Sequence, residues 1–508
     1  MLIDIENLGN PPEFWEYFKQ ITKIPRCSGK EEQIRQFIKN KAEKFGFQTE
    51  IDTVGNLMVR ILPKGAKVVR NTVVLQCHMD MVCEKNAEIF HDFAKDPIEL
   101  EIIEKNGEKW LTARGTTLGA DNGVGIAYLM TIMQKIHNDE LNLSPLEMLF
   151  TVDEESGLVG AFNVKTGFID GEYLINIDSE EDDAFIIGCA GGINTHGLIR
   201  YNSVFVGDVL GEAIPVKIEI RGLIGGHSGV DIHRGRANAV KILSNILWKM
   251  NKEEPIFLNS INGGNRANAI PREATAFLYL EKKAVEEEID FAKSLSSTIQ
   301  DNLKELEPNL RITTEQLKSI PEKELIPKKI KDKLLDILYL MPTGPISMHP
   351  KIPDLVYTST NLASIETKNL ANLKSDYDSN IKIITSQRSL HEFSKKMMHE
   401  KIEALFDLAD IEILTSNIGD YPGWEPNFDS KLLKLCRETY LAEFDDNPRI
   451  KAIHAGLECG ILKKQFPKME MISIGPTIIS PHSPDERLKI KSIEKIWNFL
   501  VSIIKKIA

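Results

Sequence analysis

Val73-Val74-Leu75-Gln76-Cys77 runs without a break into His78-Met79-Asp80, so that an apolar stretch of strand length stops on an imidazole and a carboxylate. Three more apolar runs end the same way. Leu146 to Val152 leads into Asp153-Glu154-Glu155, and Tyr173-Leu174-Ile175-Asn176-Ile177 leads into Asp178. Met469 to Ile474 leads into a Gly/Pro/Ser turn carrying His482. Between the first two runs, Leu118-Gly119-Ala120-Asp121-Asn122-Gly123 stands at the mouth of an apolar helical stretch. Open α/β sheets collect their ligands beyond the carboxyl ends of the strands. Two histidines and several carboxylates delivered there point to a two-metal hydrolytic centre.

The surrounding text supports such a sheet. Residues 12 to 47 show apolar residues at helical spacing (Phe14, Tyr17, Phe18 and Ile21, then Ile34, Phe37, Ile38 and Ala42). Strand and helix patterns then alternate to about residue 188, which predicts a mostly parallel sheet with helices on both faces. Gly123 to Ile136 reads as the clearest helix, with Ile126, Leu129, Met130 and Met133 in one stripe. Its start, just after Asp121-Asn122, favours a carboxylate through free N–H groups and the helix dipole.

Near residue 190 the texture changes at Cys189-Ala190-Gly191-Gly192. Longer alternating strands follow (Val216 to Arg221, Ala274 to Glu281, Ile381 to Arg388), separated by amphipathic helices at Ala237 to Met250, Glu286 to Glu305 and Glu392 to Ala409. That is an α+β domain with one sheet face covered. The segment 306–350, rich in Lys, Pro and Glu, reads as an insertion within it with nothing catalytic. After Tyr421-Pro422-Gly423-Trp424 the α/β pattern returns, with helix Ser430 to Phe444 and strand Met469 to Ile474. The expected organisation is a catalytic domain, 1–190 and 421–508, interrupted by an inserted domain, 191–420. A chain of 508 residues is long enough to need more than one core.

Lys plus Arg total 62 against 74 acids, a net charge of −12 that argues against nucleic acid or an anionic membrane as partner. The six cysteines are scattered, with no CxxC, which reads as a reduced, cytoplasmic protein. Cys77 points away from His78 on an alternating strand and is expected as a buried thiol. The N-terminus shows no secretory pattern, and no apolar run is long enough to cross a bilayer.

Taken singly, each motif has a plainer reading: a structural histidine, an acidic turn, or, for Asp178-Ser179-Glu180-Glu181-Asp182-Asp183 beyond its first residue, an exposed charge run. Their convergence carries the case. A zinc-like ion takes nitrogen and carboxylate ligands and leaves a place for water. A ligating histidine needs its second nitrogen held, a duty suited to Asp80. Of two adjacent glutamates, one can bind metal while the other takes a proton from the attacking water. An aspartate can bridge two ions about 3.5–4 Å apart.

His78-Met79-Asp80, Gly119-Ala120-Asp121-Asn122, Asp153-Glu154-Glu155-Ser156-Gly157, Asp178 and His482 resemble, in order, the motifs of the M20 metallopeptidase clan. Gly188 to Gly192, Gly225-Gly226-His227-Ser228-Gly229, Asn265 to Pro271 and His454 to Gly460 look like its aminoacyl-histidine dipeptidase branch. The resemblance implies a zinc exopeptidase-like catalytic domain with an α+β lid and dimerisation domain. It implies two divalent ions, zinc foremost, with manganese or cobalt suiting the same shell. His78 and Asp178 would hold one ion, Glu155 and His482 the other, and Asp121 would bridge. Glu154 would be the general base, Asp80 would orient His78, and a cis peptide would follow Asp121. His227 would stabilise the tetrahedral intermediate and Asn268 would lie near the scissile carbonyl. Arg388 is the choice for the substrate carboxylate, which a guanidinium pairs in bidentate fashion. Glu458 and His454 receive no fixed role. The implied activity is hydrolysis of short peptides, Xaa-His dipeptides above all, by a cytoplasmic homodimer. Rival readings are a tripeptide aminopeptidase, a carboxypeptidase, an N-acyl amino acid deacylase or, in another class, a non-catalytic metal-binding scaffold.

Overall fold

In a computed structural model that describes residues 8–62, 72–143, 145–320, 323–370 and 376–507, the opening run forms strand Val73–His78. Its six residues are all buried. The strand lies within an eight-stranded sheet, ordered Gln48–Ile51, Leu57–Ile61, Leu146–Thr151, Val73–His78, Tyr173–Asn176, Glu470–Ser473, Ala184–Cys189 and the strand that begins at Arg449. The central strands pair in parallel: Val73–His78 with Leu146–Thr151 and with Tyr173–Asn176, and the latter with Glu470–Ser473. Antiparallel strands flank them on both sides. Parallel neighbours ending at one edge put His78, Asp153, Asp178 and the turn after Ser473 side by side.

Both faces of this sheet are covered. Helix Ala120–His137 packs on the face of Cys77, so closely that a Cβ on Gly125 would lie 2.5 Å from the Cβ of Cys77. Helix Glu458–Gln465 covers the opposite face, where Glu458 reaches Gln76. The first helix is buried all round from Asn122 to Met133, not along one stripe, because helix Pro12–Ile21 lies on its outer side with Phe14 and Tyr128 rings 4.7 Å apart. A helix between two layers carries apolar residues on every face, and a stripe reading misses this. The strongly amphipathic helix Ile490–Ile507 closes the core against Lys431–Phe444, with Phe499 stacked 5.0 Å from Phe185.

The described chain divides into two compact units, the first formed by residues up to Cys189, Trp424–Ala452 and those from Leu457 on, the second by Ala190–Gly423 and Ile453–Gly456. The second unit holds an antiparallel sheet ordered Arg311–Gln316, Ala213–Arg221, Ala274–Glu281, Phe257–Gly263, Val356–Asn369, Ser379–Ser389, Gly191–Tyr201 and Leu414–Tyr421. Helices Ala239–Glu253, Lys328–Leu340 and Glu392–Asp407 pack into its core. Segment 306–350 is part of this architecture: Arg311–Gln316 is an edge strand, and Leu334, Leu335 and Leu338 sit in the core. Its charged surface residues hid an apolar helical face.

Two further expectations change. Cys27 and Cys83 form a disulfide, with Cα atoms 5.7 Å apart, although their separation of 56 residues matches no motif. The loop after helix Pro12–Ile21 runs parallel to the extension of strand Val73–His78 (Cys27 pairs with Met81), and this brings them together. Cys77, Cys189, Cys436 and Cys459 are free and buried. The acidic run is a set of ion pairs: Arg449 bonds Glu181 and Asp183, Lys451 bonds Glu181, and Lys495 bonds Asp182 at 3.3 Å. Among the described residues no helix is long and apolar enough to cross a membrane.

Candidate metal centre

His78 ends its strand fully buried, with its ring between two kinds of carboxylate. Nδ1 faces Asp80 Oδ1 at 3.2 Å, while Nε2 faces Asp121 Oδ1 at 2.9 Å and Asp178 Oδ1 at 3.2 Å. A proton on Nδ1, held by Asp80, leaves the Nε2 lone pair to a cation. Asp80 is saturated. Its Oδ1 also accepts Glu154 N–H at 3.0 Å, and its Oδ2 accepts Glu155 N–H at 3.1 Å and the Ser28 hydroxyl at 2.8 Å. Burial works against this carboxylate, but His78 and these donors draw its pKa down to about 2. One side chain thus ties the histidine strand to the glutamate turn.

That turn begins at Asp153, whose φ of 52° lies in the left-handed region. Glu154 and Glu155 follow it, with their backbone N–H groups turned to Asp80. Glu155 Oε2 faces His482 Nε2 at 3.0 Å, while its Oε1 is buried without a partner. Burial first, with the charges of Asp178 and Glu155 against the opposing His78, pushes the Glu154 carboxyl well above the usual range. A carboxylate so raised takes a proton readily.

Asp121 stands where the backbone of the long helix is not yet helical, and the Asp121–Asn122 peptide is cis. Asn122 is buried and donates to Asp178 Oδ1 at 2.6 Å. Asp121 Oδ2 faces His482 Nε2 at 3.1 Å. The ligand-type atoms therefore fall into two groups that share one carboxylate: His78, Asp178 and Asp121 Oδ1, and His482, Glu155 and Asp121 Oδ2. Among the protein groups themselves, the carboxylates of Asp121 and Glu155 outweigh burial and hold His482 protonated up to about pH 11.

Three carboxylates and two imidazoles packed this tightly, with a buried Glu155 oxygen left over, fit a pair of divalent cations: nitrogen and oxygen donors, net negative, each cluster short of its full shell. A second acidic cluster, Glu31, Asp80 and Asp153, lies behind the turn. There Glu31 Oε1 accepts Gly29 and Asp153 N–H at 2.7 and 3.0 Å and so braces the turn.

Two buried supports carried no role in the sequence reading. Glu458 is fully buried, and its Oε2 accepts Gln76 Nε2 at 2.5 Å and Thr151 Oγ1 at 2.6 Å. Asn176 donates to Gln76 Oε1 at 2.5 Å, so a polar row crosses the strands two or three residues before His78, Asp178 and Glu154. Burial lifts the Glu458 carboxyl to about 7. Polar residues inside otherwise apolar strands (Gln76, Asn176, Thr151) were the available signal. Glu180, read as solvated, is raised by burial and by Asp121 to about 8. The second support is Glu486, 1% exposed.

The remaining sequence-named residues belong to the second unit. His227 pairs in register with Ala269, which puts Asn268 beside it, and Ser228 N–H donates to the Asn268 carbonyl at 2.8 Å. His227 Nδ1 accepts N–H from Gly229 and Val230 at 3.2 and 3.0 Å, so the ring proton sits on Nε2. The Asn268 residue is exposed. Arg388 is buried in strand Ser379–Ser389; Nη1 donates to Tyr421 Oη at 2.7 Å, and Nε has no partner. Its register partner Ser359 bonds His454 Nε2 at 2.7 Å. Burial, with the positive charge of Arg388, drives the His454 pKa down to about 3.

Residues 74–506 match the peptidase family M20/M25/M40, and the chain belongs to that family. It is 38% identical over 507 residues to the cytosol non-specific dipeptidase of Escherichia coli, covering 98% of each chain. It also resembles the crystal structure of an aminoacylhistidine dipeptidase from Vibrio alginolyticus, at a TM-score of 0.83 and 32% identity, over 100% of this chain and 98% of that one. An aminopeptidase PepT from Bacillus cereus shares the fold at a TM-score of 0.56 and 13% identity, over 99% and 100% of the two chains. The mixed α/β architecture expected from the sequence agrees with these likenesses.

Proposed function

We propose that this chain is a two-metal dipeptidase that cleaves short peptides, Xaa-His dipeptides of broad N-terminal specificity among them, in the cytoplasm as a homodimer. The observation that carries the reading is the sharing of Asp121: its two oxygens face two different imidazoles, at 2.9 and 3.1 Å. The names of the relatives support the dipeptide substrate. Zinc is the ion that best suits a shell of imidazole and carboxylate, with manganese and cobalt close to it.

His78, Asp178 and Asp121 would hold one ion, and His482, Glu155 and Asp121 the other. When bound, the ions would polarise the scissile carbonyl and make the attacking water more acidic. Glu154 takes the proton of that water as its oxygen bonds to the carbonyl carbon. As the C–N bond breaks, Glu154 delivers the same proton to the leaving nitrogen. Asp80 keeps the His78 ring in the tautomer that ligation needs. His227, with its proton on Nε2, is suited to donate to the developing oxyanion. Arg388 and Asn268 would recognise the substrate, the first its terminal carboxylate and the second its carbonyl.

The test is a panel of β-Ala-His, Gly-His, Ala-Ala, a tripeptide and an N-acetyl amino acid offered to metal-loaded protein, with Glu154→Gln as control. The reading predicts cleavage of the dipeptides, lost in Glu154→Gln. Turnover of only the tripeptide or the acyl substrate would overturn the substrate class. No turnover at all, with two ions bound, would favour a scaffold.

A further inference from the structure

The loop that presents Asp121 is held by a residue outside the ligand set. Glu486 is 1% exposed, and its carboxylate accepts four successive backbone N–H groups. Leu118 and Gly119 donate to Oε2 at 2.7 and 2.9 Å, and Ala120 and Asp121 donate to Oε1 at 2.7 and 3.2 Å. Four consecutive N–H groups aimed at one point make a concave anion cradle. Gly119 makes the cradle possible, since its φ of 69° turns the chain. A Cβ there would also lie 2.6 Å from Arg26 Nη2.

Arg26 grips the other side of the same loop. Its guanidinium is buried and donates from Nη2 to the Gly119 carbonyl, and from Nη1 to the Met79 and Asp80 carbonyls at 3.2 and 2.7 Å. The loop thus gives its N–H groups to Glu486 and a carbonyl to Arg26. Glu486 lies four residues after His482, whose Nε2 faces the far oxygen of Asp121. The Thr112 hydroxyl anchors the Glu486 carbonyl at 2.7 Å.

We propose that Glu486 is the positioning residue of the bridging carboxylate, fixing Asp121 relative to His482 so that one aspartate serves both ions. A fixed bridge needs the Asp121 backbone and the His482 loop to keep one geometry, and the Glu486 carboxylate is the group that touches the first while belonging to the second. The proposal rests on the two-metal reading of Asp121. A carboxylate is the group the cradle requires. In Glu486→Gln one oxygen becomes an NH2, which meets two N–H donors head on and leaves them unpaired. Glu486→Asp keeps the charge but withdraws it by one methylene.

Cobalt(II) titration followed by electron paramagnetic resonance tests this independently of turnover. The wild type is expected to bind two cobalt ions tightly and to show a spin-coupled, carboxylate-bridged pair. Glu486→Gln is expected to fold with the wild-type circular dichroism spectrum, bind one ion tightly, and show an uncoupled signal. Its kcat on a dipeptide should fall about 100-fold, with KM changed less than threefold. Should Glu486→Gln not fold, Glu486→Asp takes its place and should show weakened coupling at the second ion. An uncoupled pair in the wild type would sink the bridging reading itself. A coupled wild type together with a variant that keeps two tight, coupled ions, whatever its melting temperature, would overturn the role of Glu486 alone.

Discussion

The two carboxylates that brace the candidate metal centre in the first unit differ from the side chains proposed for recognition in the second. In the first, Asp80 accepts from His78, Ser28 and two backbone N–H groups and Glu486 accepts from four, while the open buried oxygen belongs to Glu155, a proposed ligand. In the second, capacity is left open. Arg388 keeps a buried Nε without a partner, Ser228 a buried hydroxyl, and Asn268 is exposed. Groups that must hold a cation in one geometry gain from saturation, because each added bond removes a way to move. Groups that must greet a passing substrate gain from unmet donors, because a buried donor without a partner costs about 1–3 kcal/mol until a ligand supplies one. On the proposed function, fixed geometry would fall to Asp80 and Glu486, and recognition to Arg388 and Asn268.

The contrast can be broken in graded steps. Glu154→Gln removes the proton carrier and nothing else, so kcat should fall by roughly 10²–10⁴ while metal content by atomic absorption stays at the wild-type value. A variant that loses metal in proportion to activity would make Glu154 a ligand. Asp80→Asn keeps the shape but offers His78 the wrong partner, and metal affinity, measured by competition with a chelator, should drop by roughly 10–100-fold. An unchanged affinity would mean that Asp80 serves only the turn. Arg388→Lys keeps the charge and loses the fork, so kcat/KM on a dipeptide should fall about tenfold and that on the corresponding dipeptide amide should hardly move. Equal losses on both substrates would remove the carboxylate role.

The smallest step concerns His454. Its native pKa of about 3 lies below that of an unfolded histidine, so the native chain resists a proton that the unfolded chain accepts. Stability from this site is complete above about pH 6.5 and falls by about 1.4 kcal/mol per unit as pH drops below it, levelling off near pH 3. Urea denaturation at pH 7 and pH 5.5 should show a steeper loss in the wild type than in His454→Gln. Parallel losses would place the acid sensitivity elsewhere.

How much of this was written in the sequence depends on whether a residue acts through its neighbours in the chain or across space. His78, Asp153 to Glu155 and Asp178 each follow an apolar strand, so their common edge could be read from where the apolar runs stop. The α/β alternation was readable for the same reason. Glu486 looked like any charged residue in Ser483-Pro484-Asp485-Glu486-Arg487, because its four donors lie 365 to 368 residues away. Arg26 and the Cys27–Cys83 bond were hidden likewise. The all-round burial of helix Ala120–His137 escaped because periodicity reports one buried face and cannot see a second layer. The ion pairs of Glu181 to Asp183 depend on Arg449 and Lys451, on a strand far along the chain.

The central claim is that one carboxylate serves two ions. Its most direct test is a crystal structure of zinc-loaded protein with anomalous data collected at the zinc edge. The account predicts two peaks about 3.5–4 Å apart, one against His78 and Asp178, the other against His482 and Glu155, with the Asp121 carboxylate between them. A single peak, or two peaks of which only one touches Asp121, would contradict it.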